Sequence, residues 1–460
     1  VKHARVLKAE LVRAKLFGGR LFRAGGHCNW LKIIHLVAEN HPHGGQQYAM
    51  LRRNLESRLS AALADTPVVL VHGARQTGKT TLTKGLTERA LARTYLTLDN
   101  VTVLAAATSD PSGFLAAREG PVILDEVQRA PSLFLAIKAE VDKHPVPGRY
   151  LLTGSANVLL VPKLSESLAG RIEILALWPL SQGEIEGRVE KFIDSVFAAK
   201  LPAGQTFKKS GPSLIDRILV GGYPEPLSRK DESRRAAWYS SYISTILQRD
   251  VRDIADIEGL SDLPRLLSLI ATRTSGLLNF SDLARSLSLP QTTLKRYFAL
   301  LEATFLVVTI PAWSSNQGLR LSKSPKLMLC DTGLASHLLG MDRDRLNTDG
   351  NARGNLLENF VAMELMKQAT WSKARVKVFH FRTAGGKEVD LVLEDSAGRV
   401  VGIEVKAATN VGQNDFGGLR ALRDAVGEKF VRGIVLHDGA EMVAFDKQFA
   451  AMPLSALWTM

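Results

Sequence analysis

Cysteine is scarce. The 460 residues contain two, Cys28 and Cys330, far apart and outside any CxxC pair. That excludes a disulfide scaffold and a cysteine-based zinc site, and it points to a reducing, cytoplasmic setting. Long apolar runs are missing too: none approaches the roughly 18 residues that a membrane-spanning helix needs. Internal repeats and low-complexity tracts are absent. With 45% hydrophobic and 23% charged residues, the chain is neither disordered nor collagen-like. Its length suggests about three domains.

The charge is basic and uneven. Lys and Arg number 59 against 46 Asp and Glu, a net +13. Such a balance favours a polyanionic partner or an anionic surface. Residues 1–49 hold eight Lys/Arg against Glu10 and Glu39, a net +6. They contain no apolar core of the secretory kind. They read as a disordered basic leader, either a loose arm or the product of a mis-set start. An amphipathic run from Leu51 to Leu59 follows Met50, where the folded protein is expected to begin.

From Thr66 onward, short β-branched runs alternate with stretches long enough for crossover helices. Val68–Val71, Thr94–Leu98, Val122–Leu124 and Tyr150–Leu152 read as strands of a mostly parallel sheet. After the first comes Gly73-Ala74-Arg75-Gln76-Thr77-Gly78-Lys79-Thr80, which fits GxxxxGK[ST] between a strand and a helix. Glycines let backbone N–H groups turn around phosphate oxygens, and the helix N-terminus adds positive potential. Lys79 is expected to reach the β- and γ-phosphates, and Thr80 to place its hydroxyl on Mg²⁺. Val122-Ile123-Leu124-Asp125-Glu126 ends a buried strand in two carboxylates. Asp125 is expected to hold the metal and Glu126 to act as general base. Ser155, after Leu152-Thr153-Gly154, is placed to meet nucleotide or water. Arg171 and Arg249 are candidates for a phosphate finger, with a surface salt bridge as the alternative for each.

These motifs resemble an AAA-type ATPase. More specifically, they are similar to a prokaryotic family of uncharacterised ATP-binding proteins. The resemblance is carried by Gly73 through Thr81, Leu124-Asp125-Glu126-Val127-Gln128, Leu152-Thr153-Gly154-Ser155 and Leu168-Ala169-Gly170-Arg171. Gly221-Gly222-Tyr223-Pro224-Glu225 and Cys330-Asp331-Thr332-Gly333-Leu334 extend it. It covers about residues 50–460. It implies an ATPase domain, then a winged helix, then a restriction-endonuclease-like domain of unknown role. The expected boundaries are 50–190 for the ATPase, 191–258 for a helical connector, 259–314 for the winged helix and 315–460 for the last domain.

Residues 260–312 read as helix, turn, helix and strand, a winged-helix pattern. Ser288 and Gln291 suggest a capping box around Pro290. Gln291, Thr292, Thr293, Lys295 and Arg296 would face a DNA groove. The segment's net charge is only +2, from five bases against three acids, so a protein partner fits as well. Gly221–Pro226 reads as a loop.

Further on, Val376–Phe381, Glu388–Leu393 and Val400–Lys406 read as strands, followed by a helix over Phe416–Val426 and a strand over Gly433–Leu436. The resemblance places Asp390, Glu404 and Lys406 in a D…ExK nuclease motif, with Glu358 as an added carboxylate. Alternation puts Glu404 and Lys406 on one strand face.

The sequence thus reads as a multidomain α/β protein that binds ATP and Mg²⁺ and hydrolyses ATP. A homo-oligomer is what AAA-type relatives imply. The alternatives are an ATP-gated, metal-dependent DNA nuclease and a nucleotide-switched binding module without turnover.

Overall fold

A computed structural model describes residues 51–89, 93–155, 168–200, 207, 211–251 and 260–460. The leader expected over 1–49 lies outside the described residues. Among the described residues no helix is long and apolar enough to cross a membrane.

The first sheet has five parallel strands: β1 (Val68–His72), β2 (Thr94–Thr97), β3 (Val122–Asp125), β4 (Tyr150–Gly154) and β5 (Ile172–Ala176). Their order is β2-β3-β4-β1-β5. Period-two alternation divides the apolar side chains between two faces. Val68, Leu70, Leu124 and Leu152 pack with Leu133, Phe134 and Ile137 of helix α3 (Leu133–Lys143). Val69, Val71, Ile123 and Leu151 pack with Leu59 and Ala62 of helix α1 (Glu56–Asp65). Helix α2 (Lys79–Arg89) begins at the end of the phosphate loop. Parallel strands covered on both faces leave one open edge for chemistry, the carboxyl ends of β1, β3 and β4.

Helices dominate the middle of the chain. One spans Leu214–Val220 and stops at Gly221, whose φ of 73° suits glycine. The loop expected to run through Pro226 ends earlier, because Pro224–Ser228 is helical. Proline tolerates the first helical turn, where its missing N–H has no intrahelical partner to lose. Helix α4 (Glu232–Thr245) is capped by Asp231, which accepts from the Arg234 amide. It runs on into a π-helical turn over Ile246–Asp250.

Helices α5 (Leu263–Thr272), α6 (Phe280–Leu287) and α7 (Gln291–Ala303) follow. The capping box expected at Ser288 is not made. Ser288 is left-handed (φ 56°) and closes α6, and α7 has no side-chain cap. Strands β6 (Val307–Ile310) and β7 (Lys326–Leu329) form an antiparallel ribbon, with Ile310 opposite Lys326. This ribbon crosses the boundary expected at residue 314.

The last sheet has six strands in the order β12-β13-β11-β10-β9-β8. They are β8 (Lys377–Arg382), β9 (Glu388–Glu394), β10 (Val400–Lys406), β11 (Phe430–His437), β12 (Val443–Ala444) and β13 (Phe449–Pro453). Helix α8 (Gly350–Ala369) covers one face, and α9 (Gly417–Val426) covers the other. At Gly402 of β10 an added Cβ would stand 2.6 Å from Leu419 and 2.8 Å from Leu422. Helix α9 thus packs its leucine side chains directly onto the β10 backbone there. A short helix, α10 (Ala456–Thr459), ends the chain. One apolar core joins α5–α7, the ribbon, α8 and the inner strands of this sheet.

Candidate nucleotide site

Strand β1 delivers the phosphate loop. An added Cβ on Gly73 would sit 2.1 Å from the Leu177 carbonyl, so the loop leaves the sheet pressed against its neighbour. Arg53 braces it from behind. Its guanidinium donates to Thr77 O (2.6 Å), Trp178 O (2.7 Å) and Glu184 Oε1 (3.0 Å). The Thr77 hydroxyl donates to Ala74 O at 2.9 Å, closing the turn. Lys79 Nζ donates to Gly73 O and Ala74 O, both at 2.9 Å.

The Lys79 ammonium is almost wholly covered, 5% exposed. Burial pulls it down to about 8, although Glu126 and Asp125 pull the other way. A buried ammonium whose hydrogen bonds go to neutral carbonyls suits an incoming anion. His72, at the end of β1, is pushed down to about 4 by burial and by Lys79. It is a neutral ring, edge-to-face with Phe305 at 5.1 Å.

Strand β3 delivers the carboxylates. Three hydroxyls converge on Asp125. Thr80 Oγ1 lies 3.1 Å from Oδ2, Tyr95 OH donates to Oδ2 at 2.5 Å, and Thr153 donates to Oδ1. Glu126 stands in the left-handed region, φ 59°, which is uncommon for a non-glycine residue and turns its side chain off the strand. Its Oε2 accepts from Ser155 Oγ (3.0 Å) and Gln128 Nε2 (2.5 Å).

The structure thus brings Lys79, Thr80, Asp125, Glu126 and Ser155 to one edge. Arg75, Gln76, Gly78, Lys79, Thr80, Thr81 and Glu126 line a cleft of about 790 Å³. Gly73, Ala74 and Thr77 form the loop's base behind it.

The opposite wall comes from the middle of the chain: Glu225, Arg229, Trp238, Tyr242 and Arg249. Trp238 and Tyr242 stack at 4.9 Å and 12°. Tyr242 OH donates to Arg75 O at 3.2 Å, and Arg75 pairs with Asp250. Of the two finger candidates, Arg249 lines the cleft and Arg171 does not. Arg171 is paired with Asp142. Sequence reasoning missed Tyr95, Arg53 and the aromatic wall, and it gave no role to Gln128 in the motif after Glu126. Of these, Gln128 alone had a local signal, two residues after Glu126.

A second polar cluster lies between α8, β7, β9 and β10. Lys326 Nζ is 2.5 Å from Glu358 Oε1 and 3.3 Å from Asp390 Oδ1. Asp390 Oδ2 accepts from the Val405 amide at 2.9 Å. Lys406 Nζ donates to Glu404 Oε1 at 2.9 Å. Glu404 Oε2 is buried without a hydrogen-bond partner. Burial and the neighbouring Asp390 push Glu358 up to about 8 and raise Glu404. Burial alone would lower Lys326, but Glu358 and Asp390 outweigh it and hold its ammonium above the ordinary range. The four residues expected for a nuclease site therefore gather, with a lysine among them that the sequence reading did not include. Among the described residues, no group of three His, Cys, Asp or Glu side chains is arranged to hold a metal ion.

Residues 65–186 match the family model described as an AAA domain. Residues 211–345 match a domain of unknown function, DUF8612, and 353–457 match another, DUF4143. Uncharacterised proteins of Mycobacterium tuberculosis and Mycobacterium bovis are each 32% identical over 411 residues, covering 89% of this chain and 85% of theirs. The chain belongs to their family. In this family member the phosphate loop and both carboxylates fall inside the AAA match, while the aromatic wall falls inside the DUF8612 match.

A Walker-type ATPase of Pyrococcus abyssi is 15% identical, with a TM-score of 0.39, covering 65% of this chain and 99% of that one. The RuvB Holliday junction branch migration motor of Thermotoga maritima is 18% identical, with a TM-score of 0.27, covering 58% and 90%. AMPPCP-bound DnaA from Aquifex aeolicus is 15% identical, also with a TM-score of 0.27, covering 58% and 90%. These structural likenesses are weak.

Proposed function

We propose that this chain binds ATP with Mg²⁺ and hydrolyses it to ADP and phosphate. The observation that carries the reading is the Thr80–Asp125 contact beside the buried Lys79, with Glu126 held at the same edge. Lys79 meets the β- and γ-phosphates, and the loop amides of Gly73 through Thr81 cradle them. Thr80 and Asp125 hold Mg²⁺, which neutralises phosphate charge when bound. Glu126 takes the proton of the water that attacks the γ-phosphorus. The bond to the β–γ bridging oxygen breaks, leaving ADP and phosphate. Ser155 and Gln128 fix the Glu126 carboxylate for that transfer. Arg249, facing the cleft, meets the charge that develops on the transferred group.

Turnover in this reading works a partner-binding body. The order α5-α6-α7-ribbon supports a winged helix for the unit expected over 259–314, with DNA or a protein as its partner. The strand order of 315–460 supports a restriction-endonuclease-like fold. A cytoplasmic homo-oligomer fits an AAA-type domain.

The test is phosphate release by the full chain with Mg²⁺, with and without duplex DNA. Lys79→Ala is expected to lose ATP binding, and Glu126→Gln to keep binding but lose turnover. ATP binding undiminished in Lys79→Ala would overturn the reading. Stimulation by DNA would favour DNA over protein as the partner. ATP binding without any turnover would turn the assignment to a nucleotide switch.

A further inference from the structure

The cluster around Lys326 does not fit the metal that a restriction-endonuclease-like fold implies. Such a site holds a divalent cation by direct carboxylate contacts of roughly 2.0–2.6 Å. Here the space among the carboxylates already contains a cation. Lys326 Nζ contacts Glu358 Oε1 at 2.5 Å and Asp390 Oδ1 at 3.3 Å. The residue is 6% exposed. Asp390 spends its other oxygen on the Val405 amide. Glu404 is engaged by Lys406 on its own strand. A divalent ion entering this cluster would meet the Lys326 ammonium at contact distance, a like-charge clash in a covered site.

The ammonium is not on a free arm. Lys326 is the first residue of β7, opposite Ile310 in the ribbon and bridged to Leu277. The next three residues, Leu327, Met328 and Leu329, are 0–1% exposed. They sit in the same apolar core as Leu356 and Leu357 of α8, Leu391 and Leu393 of β9, and Ile403 of β10. With its backbone held there, Lys326 is itself covered, and swinging its ammonium away would leave Glu358 and Asp390 buried without their cation. The side chain is thus a fixed part of the cluster. Lys326 answers Glu358 and Asp390, and Lys406 answers Glu404 through Oε1, while Glu404 Oε2 is buried without a hydrogen-bond partner.

We propose that Lys326 is a built-in counter-ion standing in the cation position of the nuclease-like constellation. The C-terminal domain therefore takes no divalent metal there and cuts no DNA, and the cluster serves to lock the ribbon onto the C-terminal sheet. The inference rests on the restriction-endonuclease-like reading of that domain and is independent of ATP turnover.

The test is Mn²⁺ binding to the nucleotide-free full chain, followed by electron paramagnetic resonance, beside cutting of supercoiled plasmid with Mg²⁺ or Mn²⁺. Wild type is expected to leave plasmid intact and to bind no Mn²⁺ that Asp390→Asn fails to bind. Lys326→Met is expected to gain one Mn²⁺ site, on the order of tenfold tighter than any in wild type. Adding Asp390→Asn should abolish it. Plasmid cutting by wild type that Asp390→Asn abolishes overturns the proposal. So does a wild-type Mn²⁺ site lost in that variant. A folded Lys326→Met that gains no site also overturns it, whatever the ATPase assay gives. Should Lys326→Met fail to fold, the comparison of wild type with Asp390→Asn decides alone.

Discussion

Arg75 of the phosphate loop is ion-paired with Asp250, the last residue of the π-helical turn after α4. π-Helical turns are rare and gather at functional sites. This one ties the loop to the helix that supplies the facing wall of the cleft. Tyr242 of that helix adds a second tie, to the Arg75 carbonyl.

Breaking the first tie should loosen the loop. Asp250→Ala is expected to raise the KM for ATP several-fold, about 1 kcal/mol for a partly covered pair. kcat should fall less. A double-mutant cycle with Arg75→Ala measures the coupling. Strictly additive effects of the two substitutions would remove the ion pair from the account.

The hydroxyl of Tyr95 should matter through Asp125, the ring being kept in a phenylalanine substitution. The hydroxyl donates to the carboxylate from the neighbouring strand β2. Tyr95→Phe removes a hydrogen bond to a charged acceptor, a loss of about 1.5–3 kcal/mol for such bonds. The expected result is an Mg²⁺ requirement for ATP turnover higher by about tenfold or more, with the chain still folded by circular dichroism. An unchanged Mg²⁺ dependence would mean that Thr80 and Thr153 suffice to hold Asp125.

The two finger candidates separate in one assay. Arg249→Ala should lower kcat by at least about tenfold, roughly 1.4 kcal/mol of transition-state stabilisation. Arg171→Ala should leave kcat unchanged, because its guanidinium belongs to Asp142 on the surface. The reverse pattern would move the finger to Arg171 reaching a neighbouring copy.

Stability should fall as pH rises through neutrality, in part because of Glu190. Burial, with Glu364 nearby, pushes its carboxyl up to about 8. An unfolded glutamate titrates near about 4.3. Between those values the native state holds more protons, so raising the pH favours unfolding, by at most about 1.4 kcal/mol per unit from this group. The stabilisation is complete below the unfolded value and gone above the folded one. Glu190→Gln should flatten the decline in Tm between about pH 6 and pH 8. A slope equal to wild type would acquit this residue.

What the sequence made legible follows from how local each signal is. The phosphate loop announces itself because its glycines and Lys79 act through consecutive backbone. Strands β1, β3 and β4 are short, mainly apolar runs buried on both faces, and such runs read alike wherever they occur. Asp125 and Glu126 sit at the end of one of them.

The wall of the cleft had no such signature. Trp238 and Tyr242 are four apart on a helix, a spacing that also describes ordinary core. Lys326 was invisible for a related reason. Its partners lie 32 and 64 residues further on, and a lysine opening a short strand carries no mark of where its ammonium ends. Ser288 misled because a serine before a helix and a serine after one look the same until the backbone turns left-handed. Strands β12 and β13 escaped notice through brevity and a terminal proline.

The core shared by the middle helices and the last sheet has a consequence for the order in which the chain matures. Chains fold from the ribosome outward, N-terminal units first. The five-stranded sheet can close once Ala176 has emerged. Helices α5–α7 cannot, because their apolar sides rest in a core completed by Leu436, Met452 and Trp458. Lys191 likewise waits for Met460, whose carbonyl receives its amide. A nascent chain stalled within DUF4143 would therefore carry a finished nucleotide sheet beside bare middle helices. Such helices are a target for chaperones.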